Sequence, residues 1–140
     1  MASFVVDASV GVKWLLPEPH EKEAELLLSG EHALLVPDLF YIEIANVFWK
    51  KVRSKEIGEK IALNALLALD SFALEVASSA HLYLAAFEIA TKTGCTTYDC
   101  LYLALAVREN VSLITADRRL VNSLSSTQFK KHVLFIDAIK

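Results

Sequence analysis

The chain has 140 residues, 54% of them hydrophobic, with 14 basic against 17 acidic side chains and a formal net charge of −3. One domain of that length, 1–140, buries roughly 70% of the surface its unfolded chain exposes. No apolar run approaches the ~18 residues of a membrane span, although the mean hydropathy of +0.40 is high, so a sheet buried on both faces and a leftover apolar face for a partner are both expected. The acidic balance argues against a non-specific nucleic-acid binder, which shows a basic footprint, unless the acids gather round a cation that inverts the local electrostatics. The first residues, Met-Ala-Ser-Phe-Val-Val-Asp, lack the basic stretch, apolar core and cleavage site of a signal peptide, and a cytoplasmic protein is expected.

In chain order, short Val/Ile/Leu/Phe-rich runs bounded by polar or turn residues predict strands at about 3–7, 33–36, 73–77, 111–115 and 133–137. Helical patterns lie at about 9–16, 20–29, 38–54, 57–70, 79–93, 97–109 and 117–124. Pro17 and Pro19 part the first two helices, Pro37-Asp38 supplies a stop and an N-cap for the third, and Gly94 ends the fifth. Strands alternating with helices predict an α/β three-layer sandwich around a mainly parallel sheet. The pattern does not fix the order of the strands.

The helix over 38–54 carries Glu43, Asn46, Lys50 and Arg53 in one stripe, less than about 90° wide at ~100° per residue. Most of its remaining circumference is apolar, which predicts packing on most sides. Three aspartates stand where apolar runs meet helix starts: Asp7 after Phe-Val-Val, Asp99 after Thr-Thr-Tyr, and Asp117 after Leu-Ile-Thr-Ala. Each alone is compatible with a plain helix cap. Together they would converge on the crevice beyond the carboxyl ends of parallel strands. Carboxylates sharing a crevice repel one another, and a hard divalent cation held by oxygen ligands is the usual reason for the arrangement. Ser9, Thr97 and Thr115 accompany the three acids and could orient them by hydrogen bonding, whereas Asp38 reads as a plain N-cap.

Competing chemistries lack their signatures. No GxGxxG, GxxxxGK[ST] or GxSxG arrangement occurs, Cys95 and Cys100 form no CxxC pair and read as reduced, partly buried thiols, and the four histidines lack metal-ligand spacing and read as surface residues.

Val-Val-Asp-Ala-Ser, Glu43 followed by Asn46 in a long helix, Thr-Thr-Tyr-Asp-Cys-Leu-Tyr-Leu-Ala-Leu-Ala, and Leu-Ile-Thr-Ala-Asp-Arg-Arg-Leu stand in this order along the chain. The set resembles a PIN domain, and among small free-standing members the VapC toxins of type II toxin–antitoxin systems. The resemblance implies a sheet of order 3-2-1-4-5 flanked by helices, and an acidic quartet of Asp7, Glu43, Asp99 and Asp117 binding Mg2+ or Mn2+. It matches Ser9 and Thr115 to supporting positions and Asn46 to the polar residue one turn beyond the helix acid. It further implies an RNA substrate cleaved by a metal-activated water, a homodimer, and silencing by a VapB-type antitoxin. Cys100 departs from the small alanine more usual after the aspartate. Val121 and Asn122 stand where some relatives carry a further acid, which bears on whether one metal or two bind.

Within that reading, Asp7 and Asp99 would contact metal most directly, with Asp117 close by and Glu43 acting through water or as a base. Lys13, Lys50, Arg53 and Arg118 are candidate phosphate contacts, and Trp14 a candidate stacking surface. Ile57, Ile61, Leu66, Leu67 and Leu69, with Phe40 and Trp49, are the expected apolar excess for a dimer or an antitoxin helix. The alternatives are a non-catalytic protein-binding module of the same fold and a structure-specific DNA nuclease.

Overall fold

The computed structural model describes residues 2–140. Five strands, β1 (Ala2–Val6), β2 (His32–Pro37), β3 (Leu74–Ala77), β4 (Ser112–Thr115) and β5 (Val133–Phe135), form one sheet of order β3-β2-β1-β4-β5. Every pairing is parallel. The helices are α1 (Ala8–Gly11), α2 (Glu21–Leu27), α3 (Leu39–Arg53), α4 (Glu59–Ala68), α5 (Tyr83–Thr93), α6 (Thr97–Glu109) and α7 (Arg118–Leu124). The predicted elements are thus all present, several of them shorter. The first predicted helix is a single α-turn continued by a 3-10 turn at Val12–Trp14, and the fifth begins only after a 3-10 turn at Ser79–His81.

Central β1 is apolar because both its faces are covered. Val5 pairs with Leu35 of β2 and Leu113 of β4, Val6 pairs with Ile114, and all are interior. A fully buried parallel strand reads as a continuous hydrophobic run rather than an alternating one. Helix α6 is the most deeply enclosed, with Cys100 through Ala106 buried in succession. Gly94 takes φ +78° as the C-cap of α5, a left-handed conformation that favours glycine.

Gly11 has a different reason to be glycine. A Cβ there would lie 2.6 Å from both Ile44 Cδ1 and Phe40 Cζ, so α1 and α3 touch through its bare backbone. Gly11→Ala is expected to destabilise the fold by about 1–3 kcal/mol through overpacking, read as a lower denaturation midpoint at unchanged denaturant dependence. A midpoint equal to that of the unmodified chain would show that the two side chains yield freely.

Two expectations change. Asp38 stands at the start of α3 but makes no capping bond. Its carboxylate instead accepts from the Ser79 N–H at 3.2 Å, latching α3 to the turn after β3. Helix α3 is also not packed on most sides. Phe40, Ile44 and Phe48, spaced at four residues, are buried, while Ile42 and Trp49 are more than half exposed.

Candidate functional site

Asp7 ends β1 and caps α1, and it is one of two buried polar residues among those described, the other being Thr115. The parallel register sets Val6 beside Ile114, so the residues that follow, Asp7 and Thr115, are neighbours across the carboxyl ends of β1 and β4. Thr115 Oγ1 donates to Asp7 Oδ2 at 2.5 Å, Ser9 Oγ donates to Oδ1 at 2.5 Å, and the Val10 N–H reaches Oδ1 at 3.3 Å. Each hydroxyl is itself fixed, Ser9 by the Ala116 N–H at 2.9 Å and Thr115 by the Asp117 N–H at 3.1 Å. Burial outweighs these bonds and pushes the Asp7 carboxyl up to about 6. Both supporting hydroxyls therefore serve one acid, where one hydroxyl per acid was expected.

Asp99 lies in the first turn of α6, half-buried. The hydroxyl beside it is that of the N-cap Thr96, which accepts the Asp99 N–H at 3.1 Å; Thr97 is exposed. The Asp99 carboxyl is pushed upward by burial and then by the charge of Asp117, and its own charge pushes up Asp7 and Glu43. Asp99 is thus the electrostatic hub of the quartet. Asp117 caps α7, its Oδ1 accepting from the Arg119 N–H at 3.0 Å and the Leu120 N–H at 3.4 Å. A cleft of about 290 Å³ opens between Asp99 and Asp117.

Glu43 projects from α3 toward the same acids and is held by a residue that sequence reasoning missed. Tyr102 Oη donates to Glu43 Oε1 at 2.5 Å. Burial, followed by the charge of Glu43, drives the phenol far above its ordinary range, so it stays a donor. Its only sequence signal is its position three residues after Asp99, one turn along the same helix face.

The family model described as PIN domain matches residues 4–123. The chain belongs to the PIN-domain family. It is 40% identical to Ribonuclease VapC3 of Pyrobaculum aerophilum over 118 residues, 83% of this chain and 90% of that one. Among solved structures, the PIN fold superposes on PAE2754 from Pyrobaculum aerophilum with a TM-score of 0.73 at 20% identity, covering 98% of this chain and 85% of that chain. VapBC2 from Rickettsia felis, bound to a DNA fragment from its promoter, matches with a TM-score of 0.65 at 15% identity over 95% of this chain and 98% of that chain. VapC20 from Mycobacterium tuberculosis, described as a sarcin-ricin loop cleaving toxin, matches at 0.62 and 15% identity over 81% and 87%.

Asp7, Glu43, Asp99 and Asp117 offer only carboxylate oxygen, donors that suit Mg2+ or Mn2+ rather than zinc. Among the described residues, no three acidic, histidine or cysteine side chains close into a ready-made cage.

Around the acids, the PIN domain assigns the candidate cations differently. Glu43, Asn46 and Lys50 line a groove of about 420 Å³ with Ile42, Val47 and the exposed Tyr98. Arg53 follows on the same stripe, its guanidinium 5.3 Å over the Trp49 ring. Arg118 is exposed, stacks 3.7 Å over Phe135 and pairs with Asp137 at 3.5 Å. Lys13 does not serve as a phosphate contact: its side chain is 8% exposed and its ammonium pairs with Glu18 at 3.2 Å. Trp14 is no stacking surface either, since its Nε1 donates to the Ala24 carbonyl at 2.9 Å and its ring packs on Phe40 and Phe72.

Both cysteines are free, with Cys100 buried and its thiol pushed up to about 11 by desolvation. His20 and His81 are exposed as expected, but His32 and His132 are half-buried, His132 bonded through Nδ1 to the Val111 carbonyl. Among the described residues no helix is long and apolar enough to cross a membrane.

Proposed function

We propose that this PIN domain is a VapC-type endoribonuclease, a cytoplasmic toxin that hydrolyses RNA phosphodiester bonds with Mg2+ or Mn2+ at Asp7, Glu43, Asp99 and Asp117. The observation that carries the reading is 40% identity to a ribonuclease along 90% of that relative's length. The mutual repulsion centred on Asp99 supports it, because a divalent cation relieves what the fold otherwise has to bear. When bound, the cation supplies the positive charge that neutralises the quartet, activates water and stabilises the phosphate oxygens.

The chain's own residues do the arranging. Asp7 is held rigid between Ser9 and Thr115, in a pocket that keeps it from turning to solvent. Asp117 is anchored by its cap, and Asp99 is held at its own N–H by the Thr96 hydroxyl. Glu43 completes the acidic set from α3, and Asn46, Lys50 and Arg53 continue its stripe along α3 as contacts for the RNA backbone, with Arg118 on the far side. Without the cation the acidic crevice repels RNA, so binding and cleavage share one dependence.

The exposed apolar side chains are the surface for partners, a second copy of the chain and a VapB-type antitoxin. Ile61, Leu63 and Leu67 of α4, Trp49 of α3, and Tyr83, Leu84 and Phe87 of α5 are all more than half exposed. Phe40 and Leu69 leave that set because they belong to the core, and Ile57 and Leu66 are half-buried.

The test is incubation with structured and single-stranded RNAs in Mg2+, in Mn2+ and in chelator. Cleavage of at least one RNA with either metal, abolished by chelation, is expected. Cleavage that persists in chelator would sink the metal-dependent mechanism.

A further inference from the structure

We infer that Tyr102 is a positioning residue for Glu43, fixing one carboxylate oxygen so that the other is presented to the divalent cation. The inference rests on the metal-site reading above. Tyr102 is 2% exposed and belongs to α6, the helix that also carries Asp99. A buried phenol hydroxyl needs a partner, and a backbone carbonyl would satisfy it at no electrostatic risk. Here the partner is instead the site acid on another helix, 59 residues away in sequence.

The geometry has a consequence for Glu43. Its side chain is half-buried and lines an open groove, where a long flexible carboxylate would sample several rotamers and lose entropy on being recruited. With Oε1 committed to Tyr102, Oε2 has no hydrogen-bond partner among the described residues. The rotamer is therefore set before a cation arrives. Asp7 has the same kind of support from Ser9 and Thr115. Support of a ligand by outer hydrogen bonds typically changes metal affinity or activity about 10- to 100-fold.

The experiment is Mn2+ titration of the whole chain, followed by thermal shift and by calorimetry, for the unmodified protein, Tyr102→Phe, Glu43→Asp and the double variant, with RNA cleavage at saturating Mn2+ beside it. Tyr102→Phe removes one oxygen and keeps the ring. A roughly tenfold weaker Mn2+ dissociation constant is expected, with a lower kcat and an unchanged KM for RNA. Tyr102→Met removes the same hydroxyl if the phenylalanine variant fails to fold; Glu43→Asp withdraws the carboxylate from Tyr102 and from the cation together, so it serves as the background for the double variant. In the Glu43→Asp background, adding Tyr102→Phe should change affinity by less than twofold. A variant with lower thermal stability but undiminished Mn2+ affinity would make Tyr102 structural only and overturn the inference. So would full Mn2+ affinity in Glu43→Asp, or equal losses for Tyr102→Phe in both backgrounds. An unmodified protein that binds no Mn2+ would bring down the metal-site reading and this inference with it, whereas undiminished Mn2+ affinity in Tyr102→Phe brings down the inference alone.

Discussion

Asp99→Asn is expected to lower metal-dependent RNA cleavage roughly 10³-fold while raising the melting temperature of the metal-free protein. A cation clamp contributes several kcal/mol to such a reaction, and each 1.4 kcal/mol is about a factor of ten. Asp99 is the residue through which the other acids interact, since its charge raises Asp7 and Glu43 and it is raised in turn by Asp117. Asparagine keeps the size of the side chain and leaves the Thr96 cap on the residue-99 N–H in place. Neutralising the hub removes three repulsions at once, which stabilises the fold, and removes a ligand, which weakens the site. The two effects have opposite signs, and a misfolded variant cannot produce both. Thermal melts in chelator and in Mn2+, with cleavage assays on the same preparations, read them. Undiminished cleavage, or a loss of activity accompanied by a lower metal-free melting temperature, would contradict the assignment.

The second large effect is a pH dependence centred on Asp7. Its carboxyl titrates near 3.8 in an unfolded chain and about 6 in the fold, because burial penalises the charged form. The folded state therefore holds a proton that the unfolded state has released between these values. The sign follows: the stabilisation due to this group is complete below pH 3.8 and is lost as pH rises through about 6. Integrated over that shift, the loss is about 3 kcal/mol. In chelator, the difference in unfolding free energy between Asp7→Asn and the unmodified chain is expected to rise from near zero at pH 4 to that size by pH 7.5. Asparagine can be accommodated, because the Ser9 and Thr115 hydroxyls accept as readily as they donate. Added Mn2+ should stabilise the unmodified chain at pH 7.5 and shift the variant much less. Parallel stability curves for the two proteins across pH 4–8 would show that Asp7 is not held out of its ordinary range.

The acids were legible in the sequence because each ends or opens an element, and element boundaries follow from local patterns of apolar residues, prolines and caps. Glu43 was legible as the start of a polar stripe on an apolar helix. Their supports were less so. Ser9 and Thr115 are 106 residues apart and act on one carboxylate because β1 and β4 are adjacent, a pairing that no local pattern encodes. Thr97 is the hydroxyl adjacent to the Asp99 turn that was expected to orient the acid, but the hydroxyl that contacts Asp99 is that of Thr96, in the capping position that precedes the helix and that the sequence also offers. Lys13 and Trp14 looked available because neither Glu18 nor the Phe40–Phe72 cluster could be placed beside them from spacing alone.

What belonged to the sequence was the succession of strands and helices, the four acids in order, and an apolar excess too large for one core. These depend on short-range preferences, each carried by a few consecutive residues. The division of that excess between interior and surface, the shared cage of Asp7 and the grip of Tyr102 on Glu43 came from folding. Each depends on which distant segments are brought within a few ångströms, and that is settled by packing the whole sheet and its helices together rather than by any segment alone.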